Sequence, residues 1–277
     1  MGKSHSQKME NEAKSVVGKN WAGGKLTREK LLGNLGRIAD FAASKGFQHI
    51  NQIGTKFVDQ FFDHLHAAGR SESTVTGYAT AMRTLAHSIG KDNIVPRGNA
   101  PLGGSRAGQR LRPGTPNIEK MLEVRQALYE KTEWLGVACD LRAAFGLRAK
   151  ESMLTKTTFV DVKGRNLLQI EGTKGGRHRS IVVDNVEKGA AVATLKEHLL
   201  ATGHRSLIPE AMTLLQAYNF QKNTLHRLGA TKENCANSHL WRHAYAQALS
   251  AQGVNRAEIA RDLGHGRVEV ISHYVKR

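Results

Sequence analysis

Along positions 27–89, apolar residues recur every three or four positions in three successive stripes. The first is Leu31, Leu35, Ile38 and Ala42. The second is Phe57, Val58, Phe61, Phe62 and Leu65, and the third is Val75, Tyr78, Ala79, Met82, Leu85, Ala86 and Ile89. This period places each set on one face of an α-helix. Gly46, Gly69 and Gly90 stand where those helices should stop, because glycine accepts the left-handed turn that ends a helix. The short connections predict a compact helical bundle over 25–92. Residues 1–24 contain lysines but no comparable stripe and no apolar stretch of a signal peptide, and read as a basic, flexible arm.

The pattern breaks over 93–117. Pro96, Pro101, Pro113 and Pro116 fall there among several glycines, with Arg97, Arg106, Arg110 and Arg112 between them. This composition predicts a basic linker. A second domain spans 118–277. Helical patterns cover 118–130 and 134–145. Strand patterns cover 167–170 and 180–183, with Thr173-Lys174-Gly175-Gly176 as the hairpin turn between them. Helices resume over 186–200, 211–228, 239–251 and 256–263. The expected fold is mainly α, with one small antiparallel β-sheet in the C-terminal domain.

Charge narrows the choice of partner. Lys and Arg number 41 against 24 Asp and Glu, a net charge of +17. Such a surplus favours a polyanion, and nucleic acid leads. An anionic membrane comes second, but no basic amphipathic anchor stands out. No apolar run approaches the roughly 20 residues that span a bilayer. The two cysteines, Cys139 and Cys235, form no CxxC pair, which argues against a disulfide framework and a cysteine zinc site and fits a reducing cytoplasm.

Several residues have chemistry in common. Arg148 follows a predicted helix end, with Glu151 three positions on as its carboxylate partner; a guanidinium fork can hold two phosphate oxygens. Lys174 sits in the hairpin turn, where a mobile ammonium can protonate a leaving oxygen. Arg177 and Arg179 follow it as backbone contacts. His239 and Arg242 are three apart on one helical face; His243 is on another face and supports the site or packs inside. His265 follows Leu263-Gly264, a helix-ending turn. Tyr274 comes nine positions later, and a phenol becomes a usable nucleophile only where its proton is removed or its anion stabilised. In the first domain, Ser71, Ser73, Thr74 and Thr76 open the third helix, where hydroxyls and free N–H groups meet phosphates. With Arg106, Arg110 and Arg112 of the linker, they are the candidate DNA contacts. Taken singly, most of these have a plain structural explanation as caps, solvated lysines or core aromatics.

In their order they are more specific. Phe145-Gly146-Leu147-Arg148-Ala149-Lys150-Glu151, Thr173-Lys174-Gly175, His239-Leu240-Trp241-Arg242-His243, Leu263-Gly264-His265 and Tyr274 together resemble the tyrosine recombinase, or phage-type integrase, family. The resemblance covers about 118–277, and the first domain is similar to the family's core-binding, SAM-like helical bundle. It implies a catalytic domain in which Tyr274 attacks a DNA phosphodiester and becomes linked to its 3′-phosphate. Arg148, Arg242 and His265 would hold the phosphate, Lys174 would protonate the 5′-oxygen and His239 would assist. It implies no metal and no cofactor, double-stranded DNA carrying recombination sites as partner, a homotetramer on DNA from a monomer or weak oligomer when free, and a cytoplasmic, nucleoid-associated location. The family's C-terminal docking helix has no counterpart after Tyr274, which puts that contact between subunits in doubt. A compact mobile-element or prophage integrase is the expected type. A type IB topoisomerase shares the catalytic set and stays open, as does an accessory DNA-binding protein. A metal hydrolase is less supported, because the 13 histidines include no HExxH.

Overall fold

The computed structural model describes residues 4–18, 25–104, 114–173 and 179–275. The chain forms two compact units, 1–110 and 111–277.

Among its described residues the first unit has the α-helices α1 (His5–Val17), α2 (Lys25–Ser44), α3 (Thr55–Ala67) and α4 (Glu72–Ser88). The three predicted stripes meet in its core: Leu35, Ile38, Phe57, Phe61, Met82 and Leu85 are all buried. Tyr78 joins the aromatic cluster edge-on to Phe61, with ring centroids 5.4 Å apart. The arm expected over 1–24 is not flexible over 5–17. There α1 buries Met9 and Ala13 in the same core, and Glu12 accepts the N–H of Ile50 at 3.2 Å. Ser4 caps the helix by accepting from the N–H of Gln7. A helix this short is stabilised by packing its apolar face on a neighbour rather than by its own propensity.

The linker expected over 93–117 is also corrected in its first part. Arg83 of α4 gathers residues 96–99, donating to the carbonyl of Pro96 at 2.8 Å, to Asn99 Oδ1 at 2.9 Å and to the carbonyl of Gly98 at 2.7 Å. Ile94, Val95 and Leu102 are buried in the first unit. Residues 93–104 are thus its outer layer. Arg106, Arg110 and Arg112 lie outside the described residues.

The second unit contains α5 (Ile118–Lys131), α6 (Glu133–Phe145), α7 (Ala149–Leu154), the strands β1 (Thr157–Val160), β2 (Asn166–Ile170) and β3 (Arg179–Val182), then α8 (Val186–Thr202), α9 (Leu214–Arg227), α10 (Leu240–Ala251) and α11 (Arg256–Asp262). A 3-10 turn, Val268–His273, leads to Tyr274. The sheet is antiparallel in the order β1-β2-β3, with Leu168 opposite both Thr158 and Ile181. The expected pair of strands is therefore a triplet. β1 was not apparent because three of its four residues are exposed, so no buried alternation marks it. The main core packs α6 against α5, α8 and the sheet through Leu135, Ala138, Leu141, Leu168 and Leu195. A smaller cluster of Tyr245, Ile259, Leu263, Ile271 and Tyr274 joins α10, α11 and the C-terminal turn. Of the described residues, no helix is long and apolar enough to cross a membrane.

Candidate active site

Gly146 ends α6 with φ +61°, and the chain re-enters helix at Ala149 with Arg148 as N-cap. The Arg148 N–H donates to Glu151 Oε2 at 2.8 Å, and its Nη1 donates to Oε1 at 2.7 Å. Arg179, at the start of β3, donates through Nη2 to the same carboxylate at 3.0 Å. Burial alone would raise the Glu151 pKa, but Arg179 and Arg148 outweigh it and hold the carboxyl below its ordinary range.

Arg242 stands one turn into α10, behind His239 at its N-cap, and is 1% exposed. Its Nη1 donates to the Gly146 carbonyl at 2.7 Å. Its Nη2 donates to the Leu263 carbonyl and to His265 Nε2, the latter at 3.1 Å, and its Nε donates to Tyr274 Oη at 3.4 Å. Burial, then Arg148, lowers its pKa to about 10, so it stays protonated at neutral pH. The end of α6 and the end of α11 thus converge on one guanidinium.

His265 is carried into the site by Gly264, whose φ is +64°. Its Nε2 lies 3.1 Å from Tyr274 Oη. Burial and then Arg242 push its pKa down to about 4, which makes the ring neutral at pH 7. Arginine can only donate, so we assign the ring proton to Nδ1 and the lone pair to Nε2. The one lone pair of Nε2 is then shared by two donors, the Arg242 N–H and the Tyr274 hydroxyl. Tyr274 is 5% exposed, and its carbonyl accepts from Gln247 Nε2 at 2.9 Å. The His243 ring packs 4.7 Å from the tyrosine ring and His239 5.9 Å from it. Burial lowers the pKa of both histidines, His243 to about 4.

Arg148 and Arg179 share one carboxylate, Glu151, whereas the hydrogen bonds of Arg242 go to two backbone carbonyls, His265 and Tyr274. The surplus of positive charge suits an anion with several oxygens. Among the described residues no group of three or more His, Cys, Asp or Glu side chains could hold a metal ion. A cleft of about 890 Å³ opens beside Arg148, His239 and Arg242 and is also lined by Lys150, Lys222, His226 and Lys232. The sequence reading missed these four, since basic residues on solvated faces carry no pattern that separates them from any others.

The fold therefore brings Arg148, His239, Arg242, His265 and Tyr274 together, with Glu151 and His243 supporting them. Lys174 and Arg177 lie outside the described residues. Arg179 is corrected: it is no surface DNA contact, because Glu151 and the Leu263 carbonyl hold it inside. In the first unit, Thr76 is also turned inward, donating to the carbonyls of Glu72 at 2.9 Å and Gly104 at 2.6 Å. Ser71 caps α4 by accepting from the N–H of Thr74. Ser71, Ser73 and Thr74 line a groove of about 430 Å³ with Lys30, Asn34 and Arg37 of α2. Lys30, Asn34 and Arg37 were not singled out from the sequence, although their spacing puts them on one helical face.

Residues 103–248, more than half of the chain, match a protein-family model described as Integrase. The chain belongs to the tyrosine recombinase, or integrase, family. The match ends before His265 and Tyr274, whose place in the site rests on the geometry above. No curated protein sequence matches the chain significantly. Solved integrase structures share its fold. XerH site-specific recombinase, in a post-cleavage complex with a palindromic difH substrate, superposes with a TM-score of 0.68 at 20% identity, covering 91% of this chain and 76% of that one. A lambda integrase tetramer bound to a Holliday junction gives 0.63 at 16% identity, covering 92% and 73%. The Tn1549 transposon integrase with circular-intermediate DNA gives 0.60 at 14% identity, covering 92% and 91%.

Proposed function

We propose that this protein is a site-specific DNA recombinase that cuts and rejoins strands through a 3′-phosphotyrosine, integrating or excising a mobile element. The observation that carries the reading is the Tyr274 hydroxyl, set 3.1 Å from His265 Nε2 and 3.4 Å from Arg242 Nε. A base beside the phenol can take its proton as the bond to phosphorus forms, and Arg242 with Arg148 opposes the charge that builds on the phosphate. Tyr274 Oη forms a bond to phosphorus while its proton passes to His265. The bond to the 5′-oxygen breaks, and that oxygen takes a proton from Lys174, with His239 assisting. A 5′-hydroxyl from the partner duplex then attacks phosphorus and gives its proton to Lys174, while the bond to Tyr274 Oη breaks and that oxygen takes its proton back from His265. The ester conserves the bond energy, so the reaction consumes no nucleotide cofactor. The partner is double-stranded DNA, bound by four copies of the chain in the cytoplasm. Support comes from the net charge of +17 and from relatives of this fold crystallised on recombination sites and a Holliday junction.

The test is a nicked suicide duplex carrying the attachment site of the element, incubated with the protein in excess EDTA and run on a denaturing gel. A covalent adduct is expected from the wild type and none from Tyr274→Phe. Tight binding without an adduct would leave a DNA-binding protein and sink the proposal. Exchange between two duplexes, measured with the same protein, separates recombination from relaxation of a single one.

A further inference from the structure

We infer that Arg142 is a positioning residue of the catalytic pocket: its guanidinium holds the chain at Ser238 and thereby seats His239. The inference rests on reading the Tyr274 pocket as a strand-transfer site. Arg142 lies on α6, six positions before Arg148, and is 1% exposed. A buried guanidinium is ordinarily matched by a carboxylate. The nearby Asp140 is already committed, accepting from Arg125 Nε at 2.5 Å and from the Tyr129 hydroxyl at 2.6 Å. Arg142 instead donates through Nη2 to the carbonyl and the hydroxyl of Ser238, the latter at 2.7 Å. Its Nε and Nη1 have no hydrogen-bond partner among the described residues. Burial lowers its pKa.

A charge compensated this poorly weakens the fold, and an apolar side chain of similar length would fill the space at less cost. Packing thus gives no reason for arginine here, whereas its contact does. Ser238 immediately precedes His239, where the chain turns into α10. The His239 N–H donates to Asn237 Oδ1 at 3.0 Å, and its carbonyl accepts from the N–H of Arg242 at 3.1 Å. Fixing the Ser238 carbonyl fixes the peptide plane between 238 and 239, and with it the point from which the imidazole projects. The charge acts on the same ring. Burial lowers the His239 pKa most, followed by Arg242, Arg148 and then Arg142. Arg142 therefore holds His239 in place and adds the smallest of the contributions that favour its neutral form.

Arg142→Met in the full chain tests this. The expected result is an unchanged or higher Tm, unchanged affinity for the site duplex, and adduct formation slowed by about 10- to 100-fold, the usual effect of a small misplacement at a reacting centre. The acid limb of the rate profile should move to higher pH. Arg142→Lys keeps the charge and loses the planar fork, so it should keep the wild-type acid limb and still be slow. A purely structural role would not produce that split. A wild-type rate in Arg142→Met overturns the proposal, as does a loss of rate that tracks falling Tm and DNA affinity in both variants. If the wild type forms no adduct, the strand-transfer reading fails instead. Arg142 is then judged by NMR titration of the His239 imidazole in DNA-free protein. A changed ring shift with a raised pKa in Arg142→Met upholds the positioning role, and an unchanged titration overturns it.

Discussion

Glu151 carries the charge balance of the site on one side chain. It is 1% exposed and binds both Arg148 and Arg179. Glu151→Gln would keep the shape and leave two guanidiniums without their carboxylate. Breaking a buried ion pair from one side costs about 3–5 kcal/mol. We expect a loss of that order in the second unit, measured by urea denaturation, and slower adduct formation in the suicide-substrate assay. A change below about 1 kcal/mol, the level of an exposed pair, would mean that water screens the cluster. The pairing of Arg148 with Glu151 was legible because three positions on a helix is contact distance. The tie to Arg179 was not, because 28 positions separate it from Glu151 and only the return of the sheet brings it back. Arg179 therefore read as one more loop arginine.

Among the elements, the turn between α6 and α7 is the most constrained. Gly146 has φ +61°, and a Cβ there would come within 2.5 Å of Tyr245 Cδ1 and 2.8 Å of Leu263 Cδ2. Its carbonyl also receives Arg242. Gly146→Ala should therefore cost more than the ~1 kcal/mol typical of left-handed strain alone, and should displace Arg242. The check is a fall in Tm together with loss of the adduct; retained activity would show that the turn can relax. Long helices with full stripes, α2 to α6 and α8 to α10, were visible in the pattern. The short α11 was visible too, but α7, β1 and α1 were not. α7 is one and a half turns defined by its cap, β1 is mostly exposed, and α1 shows only Met9 and Ala13 to the core. Each depends on a neighbour that local periodicity does not report.

On the scale of the molecule, the burial of two histidines in a chain of net charge +17 makes stability depend on pH. His243 and His265 have folded pKa values pushed down to about 4 from the ordinary 6.5. An unfolded chain protonates these rings first. Their stabilising contribution is therefore present above pH 6.5 and is lost as pH falls towards 4. The Tm of the wild type should fall across that window, and a His243→Gln, His265→Gln double variant should show a shallower fall; equal slopes would contradict the burial argument. What the sequence by itself determined was the division into a helical part and a mixed part and the demand for a polyanion; Arg148, His239, Arg242, His265 and Tyr274 were singled out by their resemblance to a family, and the fold brings them together. Periodicity and composition are local properties, and the first two features rest on them. The tertiary structure alone decided that residues 5–17 and 93–104 complete the first core, that Arg179 braces Glu151, and that Arg142 reaches Ser238. Those contacts join positions far apart in the chain, and they exist only because packing brings distant backbone carbonyls and carboxylates to buried cations.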